Sequence, residues 1–504
     1  MEKYLFNRTT FSSSINLLMA FPACKSFALS SLGYMWLFKT ASETDDANVN
    51  MVCTDYTPDI NIKNVDAISF SMSFDFDFNG VFEILHKYKI PFLAKERNEN
   101  HPIIFAGGPV LTTNPEPYKQ IFDFMVIGDG EELIKNIINI LNNSNDKIST
   151  LKNLSKIDGI YVPYVSQKVK KVTEKLSNVI YSPIISSESY FKDTFIIELA
   201  RGCMNRCAFC TASYLNLPFR NYDYEKIIET IDLGLKYTNK IALLGAQLSA
   251  HPQFEQIIDY INEKMKNSTN IELSISSLRT DSVTPSLIKT LVSGGQKNST
   301  IAIEAASERL RKFINKNLTN KQIFDAVKLA KENGLKGIKI YSMIGIPSET
   351  DEDIREFITL AKELKKQNKG LEITFSFSSF VPKPQTPFQN CQRECTKSLE
   401  QKQKFIEKSL SKIGISSKFS SIKWDYWQTV LSRGDESLTP LLISVYKNGG
   451  KLGDYKKAIK ELNLDISHTI NGYPEKLPLP WNFIENFTTK SQLENEYKRL
   501  CKFN

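Results

Sequence analysis

Cysteine is scarce in this chain: eight among 504 residues, too few and too unevenly placed for a disulfide framework. A reducing compartment is therefore expected. Long apolar runs are missing as well. The nearest, Phe27 to Phe38, is broken by Ser30, Ser31 and Gly33, so no membrane-spanning helix is expected. Residues Met1 to Arg8 hold no apolar core of a secretory leader, and a cytoplasmic location is expected. No G-x-G-x-x-G follows the first strand-like run, which argues against a dinucleotide site. Strong charge is absent too. A net +8 is modest for this length, and Lys168, Lys170 and Lys171 read as solvated surface, leaving nucleic acid the less favoured partner. What is present, 41% hydrophobic and 24% charged residues, suits roughly three globular domains.

Three of the eight cysteines stand together. Glu198-Leu-Ala-Arg-Gly-Cys203-Met-Asn-Arg-Cys207-Ala-Phe-Cys210 follows a β-rich run, Phe195 to Leu199, and spaces them C-x3-C-x2-C. Thiolates on one loop can reach a common soft-metal or iron–sulfur centre. Three of them, with no histidine nearby, make a poor structural zinc site, because zinc wants four protein ligands. A cubane cluster on three cysteines keeps one iron open.

This loop resembles the cluster motif of the radical S-adenosylmethionine enzymes, C-x3-C-x-aromatic-C, with Phe209 in the aromatic place. The resemblance implies that Cys203, Cys207 and Cys210 hold a [4Fe-4S] cluster. It also implies that S-adenosylmethionine is cleaved to a 5′-deoxyadenosyl radical, with electrons from an external flavodoxin- or ferredoxin-type donor.

Residues 1–141 alternate strand-like runs (15–20, 49–53, 67–71, 102–106 and 124–127) with helical patterns at 80–88 and 131–141. That alternation predicts an α/β fold with a doubly wound parallel sheet, whose ligands sit beyond the carboxyl ends of the strands. Phe21-Pro22, Ser73-Phe74, Gly107-Gly108-Pro109 and Gly128-Asp129-Gly130-Glu131 fall at those ends. This half resembles the Rossmann-like cobalamin-binding domain that precedes the barrel in many radical S-adenosylmethionine enzymes. The resemblance implies cobalamin at Gly107, Gly108, Pro109, Gly128, Asp129 and Gly130. The Asp-x-His-x-x-Gly motif that supplies a lower cobalt ligand elsewhere is missing; only His86 and His101 occur here. Residues 142–192 turn polar and read as a connector with strand content near 159–163.

Strand–helix units recur over 193–415, with strands at 195–199, 241–244, 271–276, 300–304, 337–343 and 373–377, and predict a partial (β/α)6 barrel. Its chemistry should gather at the carboxyl ends of the strands, where the cysteine loop lies. Further motifs match the family in order. Leu244-Gly-Ala-Gln247 stands at the methionyl-binding turn, with Gln247 in place of the usual acid. Ile303-Glu304-Ala-Ala-Ser307-Glu-Arg309, Met343-Ile-Gly345-Ile-Pro347-Ser-Glu349-Thr and Pro382 to Pro387 follow. The resemblance thus implies that Phe209, Gly245, Ala246, Gln247, Glu304, Ser307, Gly345 and Pro347 border S-adenosylmethionine. Cys391 and Cys395 read as solvent-facing loop cysteines.

Residues 416–504 read mainly helical, with amphipathic runs at 438–449 and 453–464, and are expected to cap the barrel. The expected activity is cobalamin-dependent methyl transfer to an unactivated carbon of a small-molecule or peptide substrate. Rivals are a radical cyclase or rearrangement enzyme, a transfer-RNA methylthiotransferase-like enzyme, and a non-catalytic iron–sulfur binding protein. No catalytic acid or base is assigned.

Overall fold

In a computed structural model, residues 2–7, 15–267, 270–474 and 477–503 are described; Met1 and Arg8 of the N-terminal run lie outside them. Strands Ile15–Phe21, Ala47–Cys53, Ala67–Ser71, Ile103–Gly107 and Phe124–Val126 form a parallel sheet in the order 2-1-3-4-5. Ile160–Tyr161 adds an antiparallel edge. Both faces are covered, so the runs read as continuous apolar stretches: Leu17, Leu18, Ala20, Ile68, Ile104 and Phe124 are fully buried. The order reverses between the first and third strands, which opens a crevice at their carboxyl ends.

The barrel half holds strands Thr194–Glu198, Lys240–Leu244 and Glu272–Ile275 in one parallel sheet. Asn298–Glu304, Gly337–Ile344 and Glu372–Ser379 form the next, and a bridge from Leu278 to Ile301 joins the two. Ser416–Phe419 extends this second sheet in parallel, beyond residue 415. Helix starts follow local signals: Thr284 caps Pro285–Ser293, and Thr319 with Gln322 makes a capping box for Asn320–Glu332.

The C-terminal helices depart from the expected barrel cap. Thr439–Asn448 and Leu452–Leu462 pack their apolar faces on the N-terminal domain, where Leu441, Leu442, Val445, Tyr455 and Ala458 share a core with Phe78, Phe82 and Leu85. Helix Ile422–Arg433 leads into them. Its Arg433, fully buried, donates to the carbonyls of Gln389, Cys391 and Thr469 and so ties the loop after the last main barrel strand to this region. No helix among the described residues is long and apolar enough to cross a membrane.

Candidate active site at the barrel mouth and the domain junction

The cysteine loop leaves the first barrel strand through Ala200–Arg201 and turns at Gly202, whose φ of +91° and close approach to the Asn216 carbonyl leave no room for a side chain. Cys203 and Cys207 are buried and Cys210 partly so. Cys207 feels Cys203, Cys210, Glu304 and Lys316; burial pushes its thiol up to about 12, against the pull of Lys316. Burial also raises the Cys210 thiol. Three soft ligands without a fourth protein donor suit a cluster with one open corner. Among the described residues, no three His, Cys, Asp or Glu side chains converge on a single ion. Structural zinc takes four protein ligands, so a set of three thiols fits a cluster better than zinc.

The remaining motif residues divide. Gln247 Oε1 accepts from Asn205 Nδ2 at 2.5 Å and lies 3.5 Å from Cys203 Sγ, so this residue braces the cysteine loop. Gly245 packs against Leu248 and the Ala200 carbonyl, and Ala246 is exposed beside it. Glu304 takes a left-handed φ of +66° and pairs with Lys316 at 3.1 Å. Gly345 donates its N–H to Glu349 Oε2 at 2.8 Å, and Pro347 is half-buried in the same turn. Phe209 packs on a core of Ala208, Ala305, Phe313 and Phe388. Ser307 is not presented: it is buried, donates to Asp353 at 2.5 Å and caps helix Glu308–Phe313.

The six glycine-turn residues named for cobalamin all line one cavity of about 480 Å³ at the strand ends. Its other wall is Thr211, Ala212, Leu215 and Asn216, directly after the cysteine loop, and no histidine lines it. Gly33 at its edge has open space where a side chain would be, and Gly130 has Leu37 at ordinary contact distance. These open faces among Phe70, Phe105, Val126 and Ile134 give a cradle that fits a flat apolar-faced macrocycle, with no imidazole to bind its centre. Asp129 is not free: its carboxylate pairs with Arg201 at 3.0 Å and Arg220 at 2.7 Å, cations that outweigh burial and hold it below the usual range.

Two expectations are corrected here. Lys168 and Lys170 are exposed, but Lys171 is buried in the cavity wall and donates to Thr173 Oγ1 at 2.6 Å. Burial pushes its ammonium down to about 8, with Asp129 opposing. Cys395 is exposed as expected, but Cys391 is buried beside Phe388 and Leu500 under the cysteine loop.

A cysteine loop at the mouth of a partial parallel barrel, whose continuation lines a cavity shared with a doubly wound sheet, defines an α/β protein built around that loop. Family models agree: "Radical SAM proteins, N-terminal" matches residues 35–163 and "Radical SAM superfamily" matches 197–361. An uncharacterized protein of Methanocaldococcus jannaschii is 32% identical over 390 residues, covering 76% of this chain and 80% of that protein. An uncharacterized methyltransferase of Pyrococcus horikoshii is 28% identical over 301 residues, 55% of this chain and 61% of that one. Among solved structures, the cobalamin-dependent S-adenosylmethionine radical enzyme OxsB with aqua-cobalamin bound has the same fold, with a TM-score of 0.56 at 14% identity over 97% of this chain and 80% of its own. The chain belongs to the radical S-adenosylmethionine superfamily, whose members use a [4Fe-4S] cluster and S-adenosylmethionine.

Proposed function

We propose that this radical enzyme is cobalamin-dependent and transfers a methyl group to an unactivated carbon of a small-molecule or peptide substrate. The observation that carries the reading is the junction cavity: its glycine turns come from the N-terminal sheet, and its far wall follows the cysteine loop directly. In this reading Cys203, Cys207 and Cys210 hold the cluster. Phe209, Gly245, Ala246, Gln247, Glu304, Gly345 and Pro347 border S-adenosylmethionine, and Ser307 acts only through Asp353. Gly107, Gly108, Pro109, Gly128 and Gly130 carry the corrin, while Asp129 locks the turn through Arg201 and Arg220. When bound, the cluster supplies the electron for radical formation and the corrin supplies the methyl group.

The chain's own part is to position and shield. Gln247 and Asn205 steady the loop, Glu304 offers a carboxylate for ribose or amine, and Lys171 offers a cation in the cavity wall. The working units are 1–141, 142–192, 193–415 and 416–504. A relative named as a methyltransferase and a cobalamin-bound neighbour of the same fold support the choice.

The test is anaerobic reconstitution with cobalamin, methyl-deuterated S-adenosylmethionine, a flavodoxin-type donor and a metabolite extract of the source cells. Base-off cobalamin uptake is expected, because no histidine lines the cavity. 5′-Deoxyadenosine and S-adenosylhomocysteine should form together, with deuterium entering a product. Protein that takes up no cobalamin under reducing conditions overturns the proposal. Deoxyadenosine without S-adenosylhomocysteine would point to cyclisation or rearrangement instead.

A further inference from the structure

The second barrel sheet has two unlike faces. Ile338, Ile340, Ile373, Phe375 and Phe377 point outward into a core with Phe357, Leu360 and Leu364 of helix Asp351–Gln367. Side chains alternate along a strand, so the intervening residues face the barrel interior. They are Lys339, Tyr341 and Met343 on one strand, Thr374, Ser376 and Ser378 on the next, and Ser416 and Lys418 on the last. Phe419 stacks on Phe377 at 4.9 Å on the helix side, which sends Lys418 inward. Tyr341 is 41% exposed although it sits mid-strand in a sheet whose other face is buried.

Register sets the layers. Lys339 pairs with Thr374, which pairs with Ser416; Tyr341 pairs with Ser376, which pairs with Lys418. Two cations therefore stand in an inner wall that, below Met343, is otherwise hydroxyl and phenol. Lys339 Nζ reaches the Tyr341 hydroxyl at 3.4 Å and lies 4.7 Å from that ring centre. The acids on this face are at its margins. Glu372 lies one layer below Lys339, and Glu304 at the top is paired with Lys316. Across the barrel, Lys240 is paired with Glu272 at 3.7 Å. Among the described residues Lys339 and Lys418 stand in no ion pair. Met343 shares a core with Ala208 of the cysteine loop, so Tyr341 and Lys339 stand roughly 7 and 13 Å further down the same strand.

We propose that this inner wall is the substrate's anion site, and that Lys339 and Lys418, with Tyr341 on the strand of the first and in the layer of the second, bind a carboxylate or phosphate group. A hydrophobic substrate would leave both ammonium groups without a counter-ion. An anionic, polar one satisfies them and is anchored a fixed distance below the cysteine loop. The inference deepens the radical-enzyme reading by naming the substrate class.

Isothermal titration of the full-length, anaerobically reconstituted protein at low salt tests it, with inorganic pyrophosphate in one arm and citrate in the other. One site per chain is expected for at least one probe, and the preferred arm separates a phosphate from a polycarboxylate substrate. The Lys339→Gln/Lys418→Gln pair should weaken binding about tenfold or more. The single Lys418→Gln, on an exposed edge strand, guards against misfolding and should weaken it severalfold; Lys412→Gln, outside the barrel on its helix end, should not. If neither probe binds, or the double variant binds as tightly as the parent, the proposal is overturned. Anion binding without cleavage of S-adenosylmethionine would instead count against the radical reading and leave the anion site standing.

Discussion

Cys207 is 6% exposed, and its thiol faces the Lys316 cation and three acidic groups, Cys203, Cys210 and Glu304. Iron is what would hold it as a thiolate, so Cys207→Ala should lose most bound iron and all 5′-deoxyadenosine formation. Iron analysis with anaerobic chromatography checks this; a variant with full iron and normal cleavage would remove the cluster assignment. Glu304→Gln keeps the side chain's size and removes its charge. Losing a hydrogen bond to a charged group costs about 1.5–3 kcal/mol, so calorimetry should show S-adenosylmethionine binding roughly tenfold or more weaker. Binding within twofold of the parent would make Glu304 only the partner of Lys316. For the corrin, Gly108 is a poor probe: a Cβ there would come within 2.3 Å of the Met72 carbonyl, at a φ of +117°. Gly33 has open space and an ordinary φ. Gly33→Phe should fill the cavity edge and abolish cobalamin uptake while melting at the parent's temperature; unchanged uptake would move the corrin elsewhere.

The turn after strand Gly337–Ile344 shows how an element holds a site and how pH reads it. Glu349 Oε2 accepts from Gly345 N–H and from Lys402 Nζ at 2.7 Å, and its other oxygen is buried without a partner. Burial pushes its carboxyl up to about 7, with Glu394 adding and Lys402 opposing. Lys402, more exposed and shared between both acids, is held charged. The pair's opposite tendencies follow from Glu349 being the deeper of the two. An acid raised in the folded state binds protons more tightly folded than unfolded, so stability falls as pH rises from about 4.5 to about 7. Glu349→Gln should flatten that part of the stability curve, read by thermal melts at pH 5 and 7.5; an unchanged slope would assign it to other groups. Legibility also divides by element. Strands such as Ile15–Phe21 were plain because a two-sided burial leaves a continuous apolar run. Val169–Lys170 was not, because its partner, Ile484–Glu485, is over three hundred residues away and two-residue pairings carry no local pattern. Lys171 was misplaced for the same reason. Once Val169 is inside, the period of two puts Lys171 inside as well.

At the scale of the molecule, the motifs marked the cysteine loop and the glycine turns but not how the parts interlock. Asp75 of the N-terminal domain accepts from Lys383 after the last main barrel strand and from Gln428 of the C-terminal region. Amphipathicity shows that a helix has an apolar face, not which domain covers it, so the runs at 438–449 and 453–464, expected to cap the barrel, pack on the N-terminal domain instead. The junction beside the cavity turns on Arg201, two residues before Cys203. It pairs with Asp129 at 3.0 Å, Glu131 at 2.8 Å and Glu198 at 2.9 Å. Burial opposes its charge, yet these three carboxylates hold it firmly protonated. Arg201→Gln would leave Glu131 and Glu198 without a cation in the network and Asp129 with Arg220 alone. Breaking a fully buried pair from one side costs about 3–5 kcal/mol; this partly buried network should cost less, and the loss falls on the surface joining the two domains. The variant should therefore melt earlier, in two transitions where the parent shows one, and protease should cut first within 142–192. Adding cobalamin should restore part of the lost stability, because a ligand gripping both walls binds the joined state alone. A single transition at the parent's temperature would mean that the network is replaceable and that packing alone joins the domains.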